Sequence, residues 1–288
     1  MAAFPALADK PPDAARAAAP PRLERTVGLA RLAVGREDGR ERLATFFQSG
    51  AAKMRLPRVA PGEPLEAVLL NTAGGITGGD RLRYEVEVGA GARATVTGQA
   101  AERIYRRSHG VAEVENHLSV ASGASLAWLP QETILFDRSA LSRRLDADVA
   151  VDSTLLAAES FVLGRAAMDE TVRTAQVSDS WRIWRGGRLI FADAVRLEGD
   201  PTAILAGPAT GRGARAFATL LLVAPDAAAR LEAARAALAE AIGEAGASAW
   251  NGMLVARLVA PSGQALRHDL IRLIETLRGA AMPRVWHC

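Results

Sequence analysis

Cysteine is almost absent from this chain: Cys288 is the only one in 288 residues. A disulfide framework is therefore excluded, and the scarcity suits synthesis in a reducing compartment. Histidine and methionine are also few, at four and five, and none are clustered. A tight, closed site for a soft or borderline metal draws on Cys and His ligands, so the composition argues against a stand-alone metal store. Lysine occurs only at Lys10 and Lys53; the rest of the 35 basic residues are Arg. Against them stand 32 acidic residues, which leaves a net charge of only +3. The pI of 9.6 follows from that small excess of Arg. It does not mark a nucleic-acid surface, which needs clustered charge. Long apolar runs are missing too. The longest, Ala216 to Pro225, is about ten residues, too short to span a bilayer. No G-x-S-x-G elbow and no H-E-x-x-H motif occurs, and nothing pairs a Ser or Asp with a His, which speaks against an enzyme.

What remains is an ordinary globular composition, 49% hydrophobic and 23% charged, in a length that suits one large domain or two modest ones. Residues 1–22 are rich in Ala and Pro, with Asp9, Lys10, Asp13 and Arg16 breaking any apolar run. They read as a flexible tail rather than a signal peptide, and a cytoplasmic location is expected.

From residue 23 to 200 the dominant period is two. Leu82, Tyr84, Val86 and Val88 alternate with Arg81, Arg83, Glu85 and Glu87, as in a half-buried strand. The same alternation runs through Ala112–Val120, Leu145–Val151 and Leu189–Leu197, with glycine turns between. Residues 88–106 also align with 120–138 at an offset of 32, matching at Val88/Val120, Gly91/Gly123, Ala92/Ala124, Gln99/Gln131 and Arg106/Arg138. A looser echo runs from Val151 to Arg165. The region is expected to be mainly β, a layered, β-helix-like stack of strands. Residues 215–288 change character to a small α/β segment. Strands are expected at Phe217–Val223 and Met253–Val259. One helix should open at Pro225–Asp226 and carry Leu231, Leu238 and Ile242 towards Gly243 and Gly246. Another should start at Ser262 and end at Gly279. That βαβα part joins the β region through Pro201–Ala214.

The most unusual local sequence is Asn71–Asp80, with Gly74, Gly75, Gly78 and Gly79 inside six residues. An anion cradle is one reading, although Asp80 and Arg81 stand where a P-loop needs Lys and Ser or Thr. The other is a tight double turn between strands at Val68–Asn71 and Leu82–Val88. Asp80 and Glu159 are candidate oxygen ligands. Glu159 lies in an apolar run, so it is either a metal contact or half of an internal ion pair with an Arg. His117 and His268 fall on polar faces, His109 lies in a turn, and His287 and Cys288 end the chain. Two other classes remain on these residues alone: a β-rich hydrolase with paired carboxylates, and an Arg-based nucleic-acid binder.

Five segments in order carry a resemblance: Asn71–Leu82 (NTAGGITGGDRL), Gln99–Ser108 (QAAERIYRRS), Trp128–Phe136 (WLPQETILF), Glu159–Arg165 (ESFVLGR) and Pro283–Trp286 (PRVW). Together they resemble the urease accessory protein D family, called H in some organisms, over roughly residues 25 to 287. The resemblance implies a mostly β, helix-like layered fold with a small α/β part. It implies a non-catalytic maturation factor that works with accessory proteins F and G, the latter a GTPase, and with apo-urease. Nickel would pass in transit with no cofactor held stably. Asp80 and Glu159 would be carboxylates of that passage. Neither a nucleic acid nor a membrane is among the implied partners.

Overall fold

The computed structural model describes residues 24–287. The tail at 1–22 and the terminal Cys288 lie outside the described residues. The chain opens with a long antiparallel hairpin of β1 (Val27–Glu37) and β2 (Arg40–Gly50), then enters a second layer through β3 (Ala52–Arg55) and β4 (Leu65–Asn71). It next winds between the layers. β5 (Arg81–Val88) lies parallel to β1, and β6 (Arg93–Gly98) lies parallel to β4. A short β7 (Glu102–Ile104) closes that coil. The next coil lays down β8 (Ala112–Val120), β9 (Ser125–Leu129) and β10 (Thr133–Leu135) directly on the last; a third adds β11 (Ser139–Val149) and β12 (Thr154–Leu163). β13 (Ala175–Arg185) is the last parallel strand of the first sheet, and β14 (Arg188–Gly199) folds back against it.

This is the expected mainly β, solenoid-like stack, and the repeat is its rung spacing. Val88 pairs with Val120, and Arg93 with Ser125, both at the offset of 32 read in the sequence. Gly91 N donates to Ser122 O at the matching turn. The looser echo from Val151 carries β12, which stacks on β9.

The two sheets differ in how they are buried, and the sequence shows why. In the first sheet only one face meets the core, so β5 alternates buried and exposed residues. Its outer face carries opposite charges on neighbouring strands, including Arg81–Glu113 at 3.0 Å and Arg83–Glu115 at 3.5 Å. In the second sheet both faces are covered, and β9 and β12 read as nearly unbroken buried runs. One core lies between the sheets, around Trp128, Leu145 and Phe161; the other lies between the second sheet and the C-terminal helices.

The edge at β2 is different. This strand pairs only with β1, and Leu43, Phe46 and Phe47 are exposed along it.

The C-terminal part starts with α1 (Pro201–Ala206), capped by Asp200, whose side chain accepts from Ala203 N at 2.9 Å. β15 (Ala216–Val223) joins β12 antiparallel, followed by α2 (Leu231–Leu238), β16 (Glu244–Trp250), β17 (Met253–Ala260) and α3 (Gly263–Arg278). Ser262 caps α3 by accepting from Ala265 N, and Gly279 ends it at φ 64°, both as expected. The helix expected to run towards Gly246 is a correction. α2 stops at Leu238, Ile242 is exposed, and Glu244–Trp250 is an extra edge strand. Its inward residues are Ala245, Ala247 and Ala249. Alanine is weakly apolar and favours helix, so period two was hidden there.

Candidate functional site

A cavity of about 280 Å3 lies between the sheets. It runs from exposed Gln99, Ala100 and Arg103 to buried Asn116, Trp128, Arg143 and Glu159. The strand period puts these polar groups inside. Asn116 shares the inward face of β8 with Leu118, Arg143 that of β11 with Leu141 and Leu145, and Asp179 that of β13 with Val177 and Trp181. Parallel register then sets Arg143 beside Asp179.

At the inner end one cation serves two carboxylates. Arg143 Nε donates to Asp179 Oδ1 at 2.9 Å, Nη2 to Asp179 Oδ2 at 3.2 Å, and Nη1 to Thr133 Oγ1 at 3.0 Å. Nη2 also lies 2.7 Å from Glu159 Oε2. The guanidinium carbon sits 4.5 Å from the Phe161 ring centroid. Glu159 Oε1 accepts from Trp128 Nε1 at 3.1 Å and from Asn116 Nδ2 at 3.4 Å. Burial raises the Glu159 carboxyl above its ordinary range; Arg143 works against that shift and Asp179 adds to it. Burial alone would favour loss of the Arg143 proton, but Asp179 and Glu159 keep it firmly charged.

Two oxygens here have no hydrogen-bond donor: Asn116 Oδ1 and Glu159 Oε2. The contact of Oε2 with Arg143 is thus one of charge, without hydrogen-bond geometry. Buried acceptors without donors are costly. The inner end thus holds two carboxylates and one guanidinium, with two oxygens that accept no hydrogen bond. Nearer the surface, β7 contributes Glu102. Burial pushes its carboxyl up to about 7, opposed by donation from Asn71 Nδ2 at 3.1 Å and Arg103 N at 3.2 Å. Every one of these donors is oxygen, a set that binds divalent ions exchangeably. Among the described residues, no three His, Cys, Asp or Glu side chains gather as a closed metal site.

The other residues singled out in the sequence lie elsewhere. Asp80 is buried at the end of the glycine segment, outside the cavity lining. Its Oδ1 accepts from Thr26 N and its Oδ2 from Thr77 N, both at 2.8 Å. The carboxylate thus ties the start of β1 to the loop. The loop itself is the double turn, crossing from β4 in one sheet to β5 in the other. Gly74, Gly75 and Gly79 have positive φ. At Gly78 a Cβ would lie 2.1 Å from His109 O, so the backbones touch there. His117 faces Glu115 at 3.5 Å and His268 faces Asp269 at 3.2 Å; His109 meets Arg25 and His287 is exposed, and none of them lines the cavity. The sequence reading missed Asn116, Trp128, Arg143, Asp179 and Glu102. Period two could have found Arg143, which falls on the same face as Leu141 and Leu145.

Comparison with known proteins covers most of the chain. The family model described as UreD urease accessory protein matches residues 27–287. Urease accessory protein UreD of Rhizobium leguminosarum bv. trifolii is 51% identical over 272 residues, covering 94% of this chain and 98% of that protein. The chain belongs to the UreD urease accessory protein family. UreD of Azorhizobium caulinodans is 47% identical over 266 residues, covering 92% of this chain and 98% of its own length. UreD of Brucella suis is 48% identical over 269 residues, with 92% and 95% covered. The five sequence segments that suggested the family lie around the glycine loop, the cavity and the C-terminal turn of this UreD-family chain. Gln131, from the third segment, donates to Gly98 O and Val285 O and so joins the cavity wall to that turn. No helix among the described residues is long and apolar enough to cross a membrane.

Proposed function

We propose that this chain is a non-catalytic urease maturation factor. It acts as a scaffold that, with accessory proteins F and G, holds apo-urease while the GTPase partner G drives nickel insertion. The family supports the urease role. The observation that carries the nickel role is the cavity, which leads from the exposed Gln99–Arg103 segment to oxygens of Glu159 and Asn116 that accept no hydrogen bond. Nickel is cargo in this reading. Glu102 and Glu159 offer successive carboxylates, and the lack of imidazole and thiolate keeps residence short. Asp80 enters through the loop it holds, which forms one wall of the passage at Gly74.

The test is co-expression of the urease subunits with F, G and either this chain, its Glu159→Gln variant or an empty vector. Purified urease is then assayed for nickel content and activity. The reading expects nickel-poor urease without the chain, and reduced loading with the variant while the F-containing complex still forms. Full nickel loading in the empty-vector strain refutes the maturation role. Full loading with Glu159→Gln refutes the passage alone.

A further inference from the structure

The glycine loop and the Tyr105–Gly110 turn meet at one end of the strand stack, and there they gather arginines. Arg25, Arg106, Arg107 and Arg138 line two adjoining recesses of about 480 and 350 Å3, which share Arg107, Ser108 and Arg138. Across β1, β5 and β8, Arg31, Arg81 and Arg83 are each matched by an acid on the neighbouring strand. Here the match fails. Glu198 lines the smaller recess without pairing with any of the four arginines, and among the described residues the only carboxylate within ion-pair reach of them is Asp137, 3.7 Å from Arg138. Its Oδ1 is already taken by Arg173 N and Thr174 N, at 2.9 Å each. Arg25 instead lies beside His109 and Ser108, and Arg107 donates to Gly110 O. Holding four cations together costs free energy in the free chain. A second observation points the same way. Ser139 lines the smaller recess, is 1% exposed, and its Oγ has no hydrogen-bond partner.

We propose that this recess is a docking site for an extended acidic segment of a partner protein. Guanidinium forks match carboxylates in pairs, and the hydroxyls of Ser108 and Ser139 supply further donors. The two recesses run side by side, which suits several carboxylates in a row better than one compact phosphate. Among the described residues no aromatic side chain lines either recess, so bases would have nothing to stack on. Beyond the recess the sheet face returns to alternating charge, which a nucleic-acid backbone could not follow.

The experiment uses the full chain and a fluorescein-labelled deca-glutamate peptide, read by anisotropy at several salt concentrations. The expected result is salt-sensitive binding that Arg106→Ala with Arg138→Ala weakens roughly tenfold or more. Arg42→Ala with Arg188→Ala, which removes the same charge far from the recess, should change it less than about twofold. Ser139→Ala should weaken binding at unchanged charge. Thermal melting of each variant establishes that it is folded. Three results overturn the proposal: no binding by the native chain, equal loss in both double variants, or displacement by inorganic phosphate or oligo-dT as effective as by unlabelled peptide. The assay contains neither urease nor metal, so its failure leaves the nickel reading untouched, and the reverse also holds.

Discussion

Removing Glu159's charge and removing Arg143's charge should have unequal consequences for stability. In Arg143→Leu, Glu159 and Asp179 stay buried with no cation between them. Loss of one partner from a buried ion pair costs about 3–5 kcal/mol. For a chain of this size each kcal/mol moves the melting temperature by about 2–4 °C, so a fall on the order of 10 °C is expected. Glu159→Gln leaves the bidentate Arg143–Asp179 pair in place at 2.9 and 3.2 Å. It gives up a 2.7 Å charge contact, but it also removes a desolvated charge. With its oxygen kept towards Arg143, the new amide turns its NH2 to Trp128 Nε1, which loses its acceptor, and to Asn116, whose flipped amide can accept from it. These changes partly cancel, and the net shift should stay within about 2 kcal/mol, or roughly 6 °C. Differential scanning fluorimetry of both variants, beside nickel loading of co-expressed urease, separates stability from delivery. The expected pattern is a near-native melt with poor loading for Glu159→Gln, and a low melt for Arg143→Leu. If Glu159→Gln melts as low as Arg143→Leu, the idea of one cation shared by two carboxylates is wrong.

Glu102 gives a pH test. Its folded pKa, about 7, lies above that of the unfolded chain, so the folded state binds the proton more tightly. Its contribution to stability is therefore full at low pH and is lost as pH rises from about 4.5 towards 7. Glu102→Gln should lessen the fall of the melting temperature over that window and stabilise the chain by about 3 kcal/mol at pH 8; an unchanged pH profile would count against the burial argument. Asp80→Asn keeps one acceptor but presents an amide NH2 to a backbone donor, at about 1–3 kcal/mol. Its melt should fall together with urease activation; lost activation at a native melt would instead point to direct metal contact. Gly78→Ala forces a Cβ against His109 O and should cost about 3 kcal/mol, visible as a lowered midpoint in urea. Ser262→Ala removes the α3 cap and should cost about 1 kcal/mol, measured in the same titration.

The fold was legible where side chains contrast sharply. Arg–Leu and Glu–Val alternation marked β5 and β8, and the offset of 32 is the register between β5 and β8 and between β6 and β9. Ser262 and Gly279 marked both ends of α3 because capping is local chemistry. β16 was not legible, since Ala245, Ala247 and Ala249 alternate with Gly and Ser, and no step in hydrophobicity records which side faces in. The site was half legible. Glu159 stood out as an acid in an apolar run, and its ion-pair reading is realised by Arg143. Its partners stand 16, 20, 31 and 43 positions away, at Arg143, Asp179, Trp128 and Asn116, and only the coil register brings them together. Asp80 and the four glycines were visible as a motif, but the bonds from Thr26 and Thr77 depend on the crossing between sheets.

The open side of β2 has a consequence for the free chain. The first sheet has two edges, β14 and β2, and the apolar exposure is greater at β2. Here an unpaired backbone edge runs beside Leu43, Phe46 and Phe47. Native proteins guard such edges with charge, proline or a covering element, because an unguarded one templates pairing with another chain. Solubility should thus be the weak property of this protein when it is made alone. A charged residue at Phe46 or Phe47 should ease its handling at little thermodynamic cost, since both side chains are already exposed.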